Sequence, residues 1–174
     1  NVAAIFTGNY TSTADLEACS VTVNAGANVT IATGNTLIVG GSVTVIGSGT
    51  LTINNNAALR QIDASAVNTG NIIVKRNSAG MVRLDYTAWS SPVSGQQLQA
   101  FSPNTLANRF YQYLFTGTTT PTAYQAVNPT TNFVVGKGYM IRAADNWPLT
   151  PTVFNGQFTG VPTNGNISQP IGLG

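Results

Sequence analysis

At 174 residues the chain can hold one domain or two small ones, and a hydrophobic fraction of 43% is enough to build a core. Charged residues make up only 7%, against roughly 25% in an ordinary soluble domain, so the surface must be covered by Thr, Asn, Ser and Gly. A net charge of +2 is too small for a phosphate-tracking face, which argues against nucleic acid as a partner, and the absence of His removes the usual general base, the Ser-His-Asp and Cys-His arrangements and most zinc sites.

The single Cys19 cannot form an internal disulfide and is expected to be a small buried apolar residue. No run of apolar residues is long enough to span a bilayer. The chain starts at Asn1 without a charged-then-apolar leader, and it reads as a mature or excised piece.

Residues 1–18 are expected to cap the element that follows. From Cys19 to Asp63, apolar pairs recur at i, i+2: Val21/Val23, Val29/Ile31, Leu37/Val39, Val43/Val45 and Leu51/Ile53, with Leu59 opening a sixth. Period 2 means strands, with Thr22, Thr30, Ile38, Thr44 and Thr52 pointing the other way. Ala25-Gly26-Ala27-Asn28, Gly34-Asn35, Gly40-Gly41, Gly47-Ser48-Gly49 and Asn54-Asn55-Asn56 separate them, residues that turn corners cheaply.

The spacing carries more than the alternation does. Val21 to Val43, Val29 to Leu51 and Leu37 to Leu59 are each separated by 22 residues, and Ser20-Val21-Thr22-Val23 returns as Ser42-Val43-Thr44-Val45. Three short strands per constant offset predict a three-sided parallel β-solenoid in which each strand lies under its equivalent. A meander of hairpins would give the turns but not the offset. The same shift stacks Thr22 on Thr44 and Thr30 on Thr52. A third turn is expected through Val67 and then Ile72/Val74 with one residue deleted, and the pattern stops after Lys75-Arg76-Asn77. The expected domains are therefore 1–76, cap plus solenoid, and 77–174.

Beyond Ser78 aromatics and prolines become frequent. Met81 to Tyr86, Phe110 to Phe115, Thr122 to Ala126, Phe133-Val134, Tyr139 to Arg142 and Thr152 to Thr159 read as strands of an antiparallel β-sandwich. One short helix is expected around Thr105 to Asn108. Ile72 to Arg76 and Met81 to Asp85 are placed to pair as a hairpin across Asn77 to Gly80.

Candidate chemistry is thin. Gly136-Lys137-Gly138-Tyr139 lacks the spacing, hydroxyl residue and helix of a phosphate loop and reads as a hairpin turn. Ser90 and Ser91 have no His to activate them. Asp15, Glu17, Asp63, Asp85 and Asp145 fit no calcium loop, and Asp85 and Asp145 are expected to pair with Arg83, Arg109 or Arg142. The chain is expected not to be an enzyme and to need no cofactor or metal. Tyr111, Tyr113 and Phe115 share one face of their strand, with Phe110 and Leu114 on the other. Tyr111 and Tyr113, with Tyr124 or Trp147, are candidates for a flat platform contacting sugar rings.

Several segments also resemble a family. Thr69-Gly70-Asn71-Ile72-Ile73-Val74-Lys75-Arg76-Asn77, Leu84-Asp85-Tyr86-Thr87-Ala88-Trp89-Ser90-Ser91-Pro92-Val93, Phe101-Ser102-Pro103, Val135-Gly136-Lys137-Gly138-Tyr139 and Phe158-Thr159-Gly160-Val161-Pro162-Thr163-Asn164-Gly165 resemble, in this order, large surface proteins of Bacteroidota. Ala4-Ile5-Phe6, Gly8-Asn9-Tyr10-Thr11 and Cys19-Ser20-Val21-Thr22-Val23 are similar to the same lineage, and Trp89 to Val93 is the most specific stretch. Those proteins are cargo of the type IX secretion system and often carry a carboxy-terminal sorting domain. The resemblance implies export to the outer-membrane surface or the exterior, with roles in adhesion or gliding motility. It also implies a longer parent, because no sorting domain follows Gly174. The secretion machinery would be met through that domain, and surface glycans or further copies of the chain are the other expected partners. The reading is a structural or adhesive module, with a carbohydrate-binding module as the alternative.

Overall fold

The computed structural model describes residues 2–114 and 124–169. Nine short strands occupy the chain up to Gln61: β1 (Ala4–Phe6), β2 (Tyr10–Thr11), β3 (Leu16–Ala18), β4 (Val21–Val23), β5 (Asn28–Ile31), β6 (Thr36–Val39), β7 (Val43–Val45), β8 (Thr50–Ile53) and β9 (Ala58–Gln61). None of them pairs with its neighbour in the chain. Each of β1 to β6 lies parallel to the strand three places on, which gives the orders β1-β4-β7, β2-β5-β8 and β3-β6-β9.

The offset seen in the sequence is the register. Val21 stands opposite Val43, Val29 opposite Leu51 and Leu37 opposite Leu59. The inward aliphatics Val21, Val23, Val29, Ile31, Leu37, Val39, Val43, Val45, Leu51 and Ile53 are buried. Leu59 is only half-buried, since no strand follows β9 in its ladder. On the outside Thr22 stacks on Thr44 and Thr30 on Thr52. Beside that second column, Asn28 Nδ2 donates to Asn9 Oδ1 at 3.0 Å and Thr50 Oγ1 donates to Asn28 Oδ1 at 2.8 Å. Neutral groups thus satisfy one another from rung to rung on a surface with few charges. The corner after Ile31 puts Gly34 at φ 88°, and its equivalent one rung on is Asn56 at φ 60°. Glycine and asparagine are the residues that adopt this conformation at least cost.

Several expectations are corrected. Residues 1–18 do not merely cap the stack: β1, β2 and β3 form its first rung, with Ala4 opposite Val21, Tyr10 opposite Val29 and Leu16 opposite Leu37. Backbone pairing needs only a free edge, so this rung forms without repeating the spacing of the others. Cys19 is exposed rather than buried, because it sits at the corner between β3 and β4, outside the alternation. Val67 does not point inward and is 79% exposed. The third rung is joined instead by Asn68, whose Oδ1 accepts the Val43 N–H at 2.9 Å, and by Thr69, which bridges Thr44.

Gly70 follows at φ 81°, so close to the ladder that a Cβ would collide with the Val45 carbonyl. The long strand β10 (Ile72–Met81) then runs beneath β8, with Ile73 opposite Thr52, so here one residue is indeed deleted. β10 also replaces the expected hairpin across Asn77 to Gly80. The chain reverses later, in a turn from Val82 to Asp85 where the Asp85 N–H donates to the Val82 carbonyl at 3.1 Å and Leu84 adopts φ 78°. Asp85 Oδ2 fastens this turn by accepting the Val82 N–H at 2.8 Å.

The remaining elements are β11 (Tyr86–Trp89), β12 (Val93–Ser94), α1 (Leu98–Phe101), β13 (Phe110–Tyr113), β14 (Tyr124–Ala126), β15 (Tyr139–Arg142) and β16 (Thr152–Pro162). Among the described residues the protein is thus all-β apart from one helical turn, with both parallel and antiparallel sheets. That turn comes earlier than Thr105 to Asn108, because Leu98 and Phe101, spaced i, i+3, are the buried pair, and Pro103 follows shortly after. Phe133-Val134 is not a strand; Phe133 is buried and Val134 opens a turn closed by the Lys137 N–H at 3.1 Å. Phe115 and residues 122–123 lie outside the described residues.

The chain divides into two compact units. One comprises Asn1–Arg76, Pro92–Ser94 and Gln157–Asn166; the other comprises Asn77–Ser91, Gly95–Gly156 and Ile167–Gly174. In the first, β12 pairs antiparallel with the far half of β16, Val93 opposite Pro162. Backbone carbonyls of β16 and near the last rung are met here by side chains. Asn68 Nδ2 donates to the Pro162 carbonyl at 3.0 Å, Asn164 Nδ2 to those of Asp63 and Ala66 at 2.8 and 2.9 Å, and Arg76 to those of Asn54 and Ala57 at 3.1 and 2.9 Å. Burial lowers the pKa of the Arg76 guanidinium.

In the second unit β11, β15, β13 and β14 form an antiparallel sheet in that order. Trp89, Phe101, Phe133 and Tyr139 are buried and Phe154 half-buried against one another. Their rings meet edge-on, with Trp89–Phe101 at 4.9 Å, Phe133–Tyr139 at 5.2 Å and Phe101–Phe154 at 5.5 Å.

Leu51→Ala should destabilise the protein by about 2–5 kcal/mol, whereas Thr52→Ala, one residue on but facing outward, should cost at most about 0.5 kcal/mol. Urea denaturation of both variants measures the difference.

Candidate functional site

Strand alternation divides the antiparallel sheet of the second unit into two faces. Trp89, Tyr139, Ile141 and Phe110 lie on the core face. Residues of the opposite parity, Tyr86, Met140, Tyr111, Tyr113 and Tyr124, lie on the other, brought together by the pairs Tyr111–Met140 and Tyr113–Tyr124. Tyr86, Tyr113 and Tyr124 are 40%, 53% and 55% exposed, and Tyr111 is half-buried. Four tyrosines on one open sheet face are more than a soluble surface needs.

Within this face the rings meet in two pairs. Tyr86 and Tyr111 lie 5.8 Å apart at 65°, and Tyr113 and Tyr124 lie 5.6 Å apart at 68°. The arrangement is therefore ridged and not a flat platform. Tyr86, Tyr111, Tyr124 and Met140 line an open groove of about 210 Å³. At its edge the Tyr111 hydroxyl donates to the Asn108 carbonyl at 3.1 Å, and Arg109 Nη1 donates to the Tyr111 hydroxyl at 3.4 Å. Arg142 stands directly across the strands from Tyr86 and forms an ion pair with Asp145. The Tyr86 phenol has its pKa raised, first by burial and then by the neighbouring Tyr111, while Arg109 and Arg142 pull in the opposite sense.

Of the four expected ring contacts, Tyr111, Tyr113 and Tyr124 are brought together and Trp147 is not. Trp147 is half-buried, donates from Nε1 to the Met81 carbonyl at 3.1 Å, and packs its ring 5.9 Å from Phe154. It lines a separate cavity of about 50 Å³ with Met81, Trp89 and Phe154. Tyr86 belongs to the face but was not singled out in the sequence. Its parity against Trp89 was the available signal, since a buried Trp89 forces Tyr86 and Ala88 to the opposite side.

The other motifs resolve into structure. Asp145 pairs with Arg142 as expected, but Asp85 meets the Val82 N–H rather than an arginine. Asp15 Oδ1 accepts the Thr36 N–H at 2.8 Å, and Asp63 is held below the ordinary carboxylate pKa by hydrogen bonds from the Ser65 hydroxyl and N–H. Gly136-Lys137-Gly138 is a turn with Gly136 at φ 77°. Among the described residues no three of His, Cys, Asp and Glu are placed to hold a metal ion, and no helix is long and apolar enough to cross a membrane.

A family model described as a domain of unknown function, DUF8693, matches residues 3–174. The chain belongs to the DUF8693 family. No curated protein and no solved structure matches it. For this DUF8693 member the tyrosine face is the surface whose chemistry is least explained by folding alone.

Its geometry makes a pH prediction. A phenol whose folded pKa is raised contributes stability that is complete below the ordinary tyrosine value, near 10, and is lost as pH rises through the folded value. Tyr111→Phe removes the neighbouring hydroxyl and should bring the Tyr86 titration back toward the ordinary value. Spectrophotometric titration of tyrosinate in the two proteins tests this, and an unmoved curve contradicts it.

Proposed function

We propose that this chain is a structural and adhesive module of a bacterial protein carried to the cell surface, or released from it, as cargo of the type IX secretion system, with no catalytic step of its own. The parallel ladders in 22-residue register support reading residues 1–76 as a three-sided parallel β-solenoid with dry aliphatic stacking. The aromatic-cored antiparallel sheet is compatible with a β-sandwich that presents a surface. The resemblance of Trp89 to Val93 and its flanking segments to Bacteroidota surface proteins supports the compartment, and the low charge suits a rigid neutral scaffold. The observation that carries the adhesive part is the exposed tyrosine face: Tyr86, Tyr113 and Tyr124 stay in water on a sheet whose other face packs Trp89, Phe110, Tyr139 and Ile141.

A second reading, a carbohydrate-binding module, is favoured by the same groove, because aromatic rings offer apolar faces to the C–H faces of sugars. The ridged geometry suits a glycan chain lying across the rings better than a flat crystalline surface.

In the bacterium that encodes it, an antibody against this chain should label intact, unpermeabilised cells or the culture medium, and labelling should vanish when the type IX machinery is disabled. Labelling only after permeabilisation overturns the reading. The purified chain immobilised on beads should lose retention on cell surfaces when Tyr113 and Tyr124 are both replaced by Ala, while circular dichroism stays unchanged.

A further inference from the structure

We propose that the tyrosine groove binds a uronic acid residue of a polysaccharide, its ring against Tyr86, Tyr111 and Tyr124 and its carboxylate toward Arg109. The proposal rests on the carbohydrate-binding reading above and names the class of sugar. The groove is open, and its walls are aromatic and thioether, so it has room for one sugar ring but few polar groups to orient it. Orientation must then come from the rim.

The rim is cationic. The charges acting on the Tyr86 phenol are those of Arg109 and Arg142. Arg142 is committed, because its guanidinium is buried and ion-paired with Asp145. Arg109 is half-buried and, among the described residues, makes no ion pair. Among the described residues its side-chain hydrogen bonds, to the Asn108 carbonyl at 3.3 Å and the Tyr111 hydroxyl at 3.4 Å, leave from Nη1. Both are long. They aim the guanidinium along the groove edge without saturating it. In a chain with only seven Lys/Arg, an arginine that makes no ion pair among the described residues and sits against Tyr111 at the edge of the tyrosine face is a specific placement. A guanidinium fork matches a carboxylate in two parallel hydrogen bonds, and in a uronic acid that carboxylate is attached directly to the ring. A ring lying on Tyr86 and Tyr111 would therefore carry its anionic group out to the side where Arg109 stands.

Calorimetric titration of the full chain with oligogalacturonide, with a sulfated galactan oligosaccharide and with a neutral β-glucan oligosaccharide decides the matter. The uronate should bind best, its affinity falling as salt is added. Arg109→Gln should weaken the uronate about tenfold or more and leave the neutral sugar unchanged. Arg109→Lys, which keeps the charge and loses the fork, should fall between. Tyr86→Ala should weaken every sugar that binds, with thermal unfolding confirming that each variant folds. Equal binding of neutral and uronate oligosaccharides, preference for the sulfated sugar, or an Arg109→Gln variant as good as the parent overturns this inference and leaves the carbohydrate reading standing. No binding of any of the three sugars by the parent chain overturns both.

Discussion

A strand of two to four residues cannot define its own position, and nine such strands make up the chain from Ala4 to Gln61. What locates them is the parallel ladder: each backbone edge accepts the next rung only in a register that returns the same side chains inward, because a slip by one residue would exchange Val21 and Val23 for Thr22. The aliphatic stack and the register are thus one constraint. Burial of Leu37, Leu51 and Ile53 selects the register, and the register aligns the polar columns Thr22–Thr44 and Thr30–Thr52 outside. Where the stack ends, the constraint ends too, and the chain changes device. The Asn68 side chain accepts the Val43 N–H, and those of Arg76 and Asn164 meet carbonyls at the end of the stack.

This explains which parts of the fold can be read from the sequence. Between Val21 and Leu59 the packing demand acts on every second residue at a fixed offset, so the pairing partners follow from arithmetic. At β1 to β3 the backbone pairs just as well, but the inward positions Ala4 and Phe6 are only half-buried, so no repeat is enforced and none is visible. Asn68 escapes for a related reason. It replaces a strand residue with a side-chain amide, and a hydrogen bond from Val43 to an Asn leaves no trace in hydrophobic periodicity. Asn77 to Gly80 looks like a turn by composition, yet β10 runs straight through it and leaves the reversal to Leu84 and Asp85. Turn-forming residues permit a turn; they do not compel one.

The candidate surface was half legible. Alternation put Tyr111 and Tyr113 on one face, and pairing with β14 places Tyr124 beside Tyr113. Tyr86 arrives from β11 at the far edge of the sheet, and Met140 from β15 between β11 and β13; neither neighbour can be deduced without the strand order β11-β15-β13-β14. Trp147 failed the expectation because its indole N–H found a carbonyl at Met81 and its ring found Phe154, which is what an indole does when a cavity wall is available. The core face explains why the tyrosines remain outside. Trp89, Phe110, Tyr139 and Ile141 already fill the packing on their side of the sheet.

The scarcity of charge gives each charge more weight. On a typical surface an arginine beside a tyrosine would be one of many, neutralised by neighbouring carboxylates. Here four of the five carboxylates are used locally: Asp85 and Asp63 hold turns, Asp15 holds a backbone N–H, and Asp145 holds Arg142. The Asp145 pairing removes one cation from the rim of the tyrosine groove and leaves the other. Selectivity on this face then depends on a contrast between apolar rings, which accept many ligands weakly, and a single forked cation, which accepts few. A scaffold with few charges makes that contrast sharper, because few other cations compete with Arg109 for an approaching anion.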